Sequence, residues 1–314
     1  MLPIAIGIAN SLLKNMLWKS EKQGFKSFLK LEKSFSENTI DGYLHDIEKL
    51  TQFLEYKKHT LFPKELELKH FQEFLKWVNE LGMNARSQAR MISGIKSFYK
   101  YLLLENLIQN NPTSLLETPK IGRKLPDTLS PEDIDRIINA IDLSKPEGER
   151  NRAMLDTLYS SGLRVSELVN LKISNLFFND GFIKVIGKGD KERLVPIGSV
   201  AMKHIGLYQK NARCHISVKK GNEDILFLNR RGTKLSRVMV FIMIKEFVEK
   251  SGLKKKVSPH TFRHSFATHL IEGGADLRAV QEMLGHESIT TTEIYTHLDR
   301  DYLRSAIIQF HPRS

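Results

Sequence analysis

The chain of 314 residues contains one cysteine, Cys214. A lone thiol excludes an intramolecular disulfide framework and any cysteine-based zinc cluster, and it agrees with a reducing, cytoplasmic setting. Ten prolines and 19 glycines are too few for a collagenous or low-complexity chain. No run of about 18 apolar residues occurs, so no segment reads as a membrane span. Acids are in the minority: 36 Asp and Glu stand against 48 Lys and Arg, a formal charge of +12. That excess calls for a polyanionic partner, nucleic acid before an anionic membrane surface.

The first residues need a separate reading. Leu2 to Leu13 are mostly apolar, but no basic region precedes them and Lys14, Asn15 and Met16 follow where a secretory signal would carry a small-residue cleavage site. Residues 1–19 are therefore expected to be a short leader or a misassigned start, with Met16 as the alternative opening.

What is present is helical periodicity. From Trp18 to Leu107 the apolar residues recur at helical spacing, first as Ile40, Tyr43, Leu44, Ile47, Leu50, Phe53 and Leu54 behind a Ser36-Glu37 start. Phe71, Phe74, Leu75 and Val78 form a second face, and Ala89, Ile92, Ile95, Phe98, Tyr99 and Leu102 a third. Residues 20–110 thus read as a helical bundle. Between Asn111 and Leu129 the period stops at Pro112, Pro119, Gly122 and Pro126, among which lie Lys120, Arg123 and Lys124. Residues 111–128 are predicted to be a basic linker whose cations either meet a phosphate backbone or are simply solvated. Ser130-Pro131-Glu132-Asp133 then opens a second domain, 129–314, with a strong helix start. It is mostly helical, apart from Phe182–Ile186 and Arg193–Ile197, which flank a glycine-bearing turn and predict a small β-hairpin. The fold class is mainly α, in two domains.

Four segments of the second domain carry residues suited to an anion. In Ser161-Gly162-Leu163-Arg164-Val165-Ser166-Glu167, the glycine ends one helix and Arg164 opens the next beside backbone N–H groups, with Glu167 one turn on. Lys188 sits at the predicted hairpin tip. Ser258-Pro259-His260-Thr261-Phe262-Arg263-His264 starts a helix that puts His260 and Arg263 on one face. His260 and His264 have metal-ligand spacing, but the Glu a zinc protease would place next to the first His is Thr261, so no metal is assigned. Finally, Leu284-Gly285-His286-Glu287 precedes Ile294-Tyr295-Thr296-His297, where Tyr295 is either a nucleophile or a buried aromatic.

In this order the boxes resemble the signature of the tyrosine recombinase (phage integrase) family, and within it the XerD-like members of the Xer branch. The likeness extends to Ser36-Glu37-Asn38-Thr39, to Ile95–Leu102 and to the tail His311-Pro312-Arg313, and so runs from about residue 20 to 314. It implies a core-binding, SAM-like N-terminal bundle and a C-terminal catalytic domain. Tyr295 would attack a DNA phosphate, giving a 3′-phosphotyrosyl link. Arg164 and Arg263 would clamp its oxygens, His260 act as base, Lys188 as acid, His286 as a further donor, and Glu167 would orient its neighbours. No cofactor is implied. The implied partners are duplex DNA, other protomers in a homo- or hetero-tetramer, a second, XerC-like recombinase, and an FtsK-like septal translocase acting at a dif-like site in chromosome segregation. The last helix would dock on a neighbouring protomer, although Leu303, Ile307, Ile308 and Phe310 suit its own core equally well. The alternatives are a phage or transposon integrase, a type IB topoisomerase, or a non-catalytic DNA-binding protein.

Overall fold

The computed structural model describes residues 18–59, 61–120, 122, 128–187, 190–285 and 297–314, with backbone alone over 297–300. The predicted leader through residue 17 lies outside them. The chain separates into two compact units, Met1–Lys124 and Leu125–Ser314.

Among the described residues the first unit packs four α-helices: α1 over 18–31, α2 (Glu37–Tyr56), α3 (Leu68–Glu80) and α4 (Ala85–Leu104). The three apolar stripes read from the sequence are their inner faces, and Ile40, Ile47, Leu50, Phe71, Phe74, Ile92, Ile95 and Phe98 are sealed from solvent. Burial of these side chains stabilises the bundle by roughly 25 cal/mol per Å² removed from water. One polar group enters the core. Asp46 is fully buried under Arg90, which pairs with both of its carboxylate oxygens, and the absence of a side chain at Gly94 makes room for that carboxylate.

The second unit opens with α5 (Pro131–Asn139), whose Ser130 cap accepts the Asp133 N–H at 3.2 Å while the Asp133 carboxylate accepts the Ser130 N–H at 3.3 Å. Helices α6 (Gly148–Ser161), α7 (Val165–Val169), α8 (Ser199–Asn211), α9 (Arg237–Lys250), α10 (Pro259–Gly273), α11 (Leu277–Leu284) and α12 (His297–Phe310) follow. The predicted hairpin is present as β2 (Phe182–Ile186) and β3 (Glu192–Pro196), antiparallel with Ile183 opposite Val195. The sequence missed a third strand, β1 (Leu176–Phe177), which pairs with β2 to make a three-stranded sheet. Two residues are too few to show alternation. It also missed an extended strap. Ile173 N–H donates to the Asp224 carbonyl at 2.7 Å and Leu226 N–H to that of Leu171 at 2.9 Å, which buries Leu226, Phe227 and Leu228.

The chain end closes the core of its own unit. Leu303, Ala306 and Ile307 on α12 are buried against the same cluster as α10, whereas Ile308 faces outward. Beyond α12, His311 stacks against Tyr159, with ring centroids 4.6 Å apart, and packs on Phe266. Arg313 N–H donates to its Nδ1 at 3.1 Å, so the ring hydrogen sits on Nε2, which points to the Tyr159 carbonyl at 3.2 Å. Arg313 in turn pairs with the buried Asp156 at 2.6 Å.

A second proton has no acceptor in that arrangement. Burial pushes the His311 imidazole down to about 4 from its usual 6.5, with the nearby His269 and Arg313 adding to the shift. The unfolded chain takes up a proton near pH 6.5 that the fold refuses until about pH 4, so stability is full above that window and is lost as pH falls through it. The loss is about 3 kcal/mol for this group at about 1.4 kcal/mol per pH unit. Urea unfolding at pH 7, 5.5 and 4 should show the stability gap between the wild type and His311→Gln shrinking as the pH drops. A gap that stays constant would refute the linkage.

Candidate active site

The corner that collects the predicted arginines is built from helix ends. Helix α6 stops at Gly162, whose left-handed backbone (φ 57°, ψ 28°) is disfavoured for any residue with a side chain. A Cβ there would also overlap the Phe266 ring. Helix α11 stops in the same way at Gly285 (φ 64°, ψ 58°). Both stops leave carbonyls that have no partner within the helix and that carry the negative end of its dipole.

Guanidinium groups fill that need. Arg263, one turn into α10, donates from Nη1 to the Gly162 carbonyl at 2.7 Å and from Nη2 to the Leu284 carbonyl at 2.5 Å. It thereby ties the ends of α6 and α11 together. Arg164 stands at the N-cap of α7 and donates from Nη2 to the Gly285 carbonyl at 3.1 Å and from Nη1 to Glu167 Oε1 at 3.0 Å. Its backbone N–H donates to Glu167 Oε2 at 2.8 Å. The sequence placed the Arg164 fork beside the N–H groups of its own helix. In the fold it turns instead toward the carbonyl end of another helix, because a cation is favoured there.

A third arginine completes the corner. Arg193 on β3 is buried, holds Glu167 with Nη1 at 2.8 Å and Nη2 at 3.0 Å, and donates from Nε to the Met283 carbonyl at 3.0 Å. In the sequence Arg193 shows only as part of a predicted strand. A signal was available: strand alternation puts position 193 on the face of Val195 and Ile197, so a charge there sits among buried residues.

The charges are strongly coupled. Burial pulls the Glu167 carboxyl upward, but the Arg193 hydrogen bonds and charge, helped by Arg164, outweigh it and hold the group below the usual carboxylate range. Burial and then the neighbouring Arg164 push the Arg263 guanidinium down to about 10, still a cation at neutral pH. Two guanidiniums therefore hold one carboxylate with a third close by, and the corner keeps net positive charge for an incoming anion.

The remaining predicted residues fall into three groups. His260 is exposed in the first turn of α10, which is capped by Ser258. His264 is half-buried, and His269, the other histidine of that helix, is turned inward with Nδ1 2.8 Å from the Tyr159 hydroxyl. Among the described residues no cluster of three or more His, Cys, Asp or Glu side chains has metal-binding geometry. Lys188, His286 and Tyr295 lie outside the described residues, as do Arg123 and Lys124; Lys120 is exposed in the first unit. In the chain, Lys188 follows the end of β2 by two residues and His286 follows Gly285 directly. No described helix is long and apolar enough to cross a membrane.

Comparison with known proteins agrees with this layout. Residues 127–301 match the model of the phage integrase family, and residues 23–106 match that of the phage integrase N-terminal SAM-like domain. The tyrosine recombinase XerD of Staphylococcus aureus is 42% identical over 287 residues, 91% of this chain and 97% of the relative. XerD of Staphylococcus saprophyticus subsp. saprophyticus is 43% identical over 92% of this chain and 98% of its own length. Among solved structures, the XerH site-specific recombinase bound to its difH substrate in a pre-cleavage complex is 25% identical, with a TM-score of 0.65 over 91% of this chain and 83% of that one. With both units matched in order, and with the arginine corner lying wholly within the second, the chain belongs to the tyrosine recombinase (phage integrase) family, in its Xer branch of site-specific recombinases.

Proposed function

We propose that the chain cuts and rejoins duplex DNA at a dif-like site through a 3′-phosphotyrosyl intermediate, and so resolves chromosome dimers during segregation. The observation that carries the chemistry is the net cationic corner in which Arg164 and Arg263 are held by helix-end carbonyls and Glu167. A phosphodiester gains negative charge on its equatorial oxygens in the pentavalent transition state, and fixed cationic donors stabilise that state without a metal.

The Tyr295 hydroxyl oxygen bonds to phosphorus and its proton passes to His260. The bond from phosphorus to the 5′ oxygen breaks, and the leaving oxygen takes a proton from Lys188. Arg164 and Arg263 hold the two non-bridging oxygens, His286 donates to one of them, and Glu167 orients Arg164. A tyrosine has an ordinary pKa of about 10, so a base or a cationic pocket is needed for attack at neutral pH. The phosphotyrosyl ester keeps the energy of the broken bond. Another strand's 5′-hydroxyl reverses the step, which makes the outcome exchange rather than hydrolysis.

Binding follows from the charge. Both units are basic, with 16 Lys and Arg against 12 acids over residues 1–110, and Lys120, Arg123 and Lys124 lie in the stretch that joins them. Contacts to phosphates dominate such affinity and make it fall steeply with salt. Two protomers would occupy a site and four the synapse, either as one protein or paired with a second, XerC-like recombinase, and an FtsK-like translocase would act on the assembly in the cytoplasm. The XerD relatives and the XerH–difH complex support site-specific recombination on duplex DNA.

On a nicked suicide duplex carrying a dif-like site, Tyr295→Phe should bind with wild-type affinity and form no denaturant-resistant adduct; an adduct from this variant would remove Tyr295 as nucleophile. Arg263→Ala should lower the rate of adduct formation about 10²- to 10³-fold while binding persists, and an undiminished rate would contradict the clamp. EDTA should leave cleavage unchanged, whereas abolition by chelation would refute a purely cationic mechanism.

A further inference from the structure

Arg193 has no role in the step just described, yet it is the most enclosed cation of the corner. It reaches both oxygens of Glu167 and the carbonyl of Met283, two residues before Gly285. A Cβ on Gly285 would come within 3.0 Å of the Arg193 Nε, so the α11 stop and this guanidinium are packed directly on each other. Glu167 thus has two cationic partners, and its side chain is only 2% exposed. A buried carboxylate must be neutralised, and with one partner alone it would take the whole charge of that partner.

We propose that Arg193, on the inner face of β3, is a positioning residue for strand transfer: it neutralises Glu167 so that the charge of Arg164 is left for the phosphate, and it fixes the α11 terminus from which Arg164 and Arg263 are aimed. Arg164, Arg193 and Arg263 against Glu167 leave two positive charges facing an anion. Removing Arg193 leaves one, because Glu167 then spends Arg164. This inference rests on the reading of Arg164 and Arg263 as the phosphate clamp.

The test uses the full chain on the nicked suicide duplex, with adduct formation measured in single turnover, DNA affinity measured by anisotropy, and thermal unfolding followed alongside. R193M should form adduct at least about 100-fold more slowly at near wild-type DNA affinity, the size expected when a transition-state charge is lost. E167Q combined with R193M should recover at least about tenfold of that loss, since a neutral partner no longer consumes Arg164; two independent packing lesions would instead add. R193K keeps the charge but loses the bidentate hold on Glu167 and the bond to Met283, so it should fall between R193M and the wild type. If R193M does not fold, the double variant decides the matter: a rate within about tenfold of wild type upholds the role, and any larger loss overturns it. Wild-type cleavage by R193M, or a double variant no faster than R193M, also overturns it. Parallel measurement of R164A separates the two claims. If R164A cleaves at the wild-type rate, the clamp itself fails. If R164A is inactive while R193M is unimpaired, only the role of Arg193 fails.

Discussion

The arginine corner depends on carbonyl oxygens that two helices cannot satisfy themselves. Helices α6 and α11 both end in a left-handed glycine, and the carbonyls of Gly162, Leu284, Gly285 and, just before the stop, Met283 all accept from guanidinium groups. Each such bond uses one of the five donors an arginine carries, which leaves donors of Arg164 and Arg263 for an anion. The dipole of each helix makes its carboxyl end a place where a cation is stabilised by a few tenths to about 1 kcal/mol. Arginines that would repel each other in the open are thereby held side by side.

This arrangement ties the site to the stability of the second unit. Helix α10 carries Arg263 toward the corner and turns Phe266 and His269 into the core. Phe266 closes over Gly162 on one side and receives the His311 ring on another. The tail that follows α12 is thus packed, through one aromatic side chain, against the turn whose carbonyl orients Arg263. A lesion in the tail or at Gly162 reaches the guanidinium by displacing its acceptor, with no change to the arginine itself.

Glu167 shows how a buried acid serves a cationic site. A carboxylate alone in that position would be protonated by burial, and then it could neither aim Arg164 nor accept from Arg193. Shared between two guanidiniums, it stays ionised and orders both. Breaking such a buried network costs far more than an exposed ion pair contributes, because the partner left behind remains buried and charged.

The three apolar stripes of the N-terminal bundle, the Ser130 capping box and the two strands around residue 187 were legible in the sequence, because caps and 3.6- or 2-residue periods are written in consecutive residues. Gly162, Arg164, Glu167 and Arg263 could be picked out for the same reason, as local spacings at helix ends. Strand β1 is too short to show a period, and the strap through Leu226 is held by bonds to the distant Leu171. The carbonyl partners of the arginines were equally hidden. Arg164 meets a carbonyl 121 residues away and Arg263 one 101 residues away, and Arg193 joins Glu167 from a different element. The local chain determined which residues are helical and which are charged. Only the tertiary packing decided which helix ends meet, and with them where the positive charge is aimed, because that depends on carbonyls whose need for a donor arises where a helix stops.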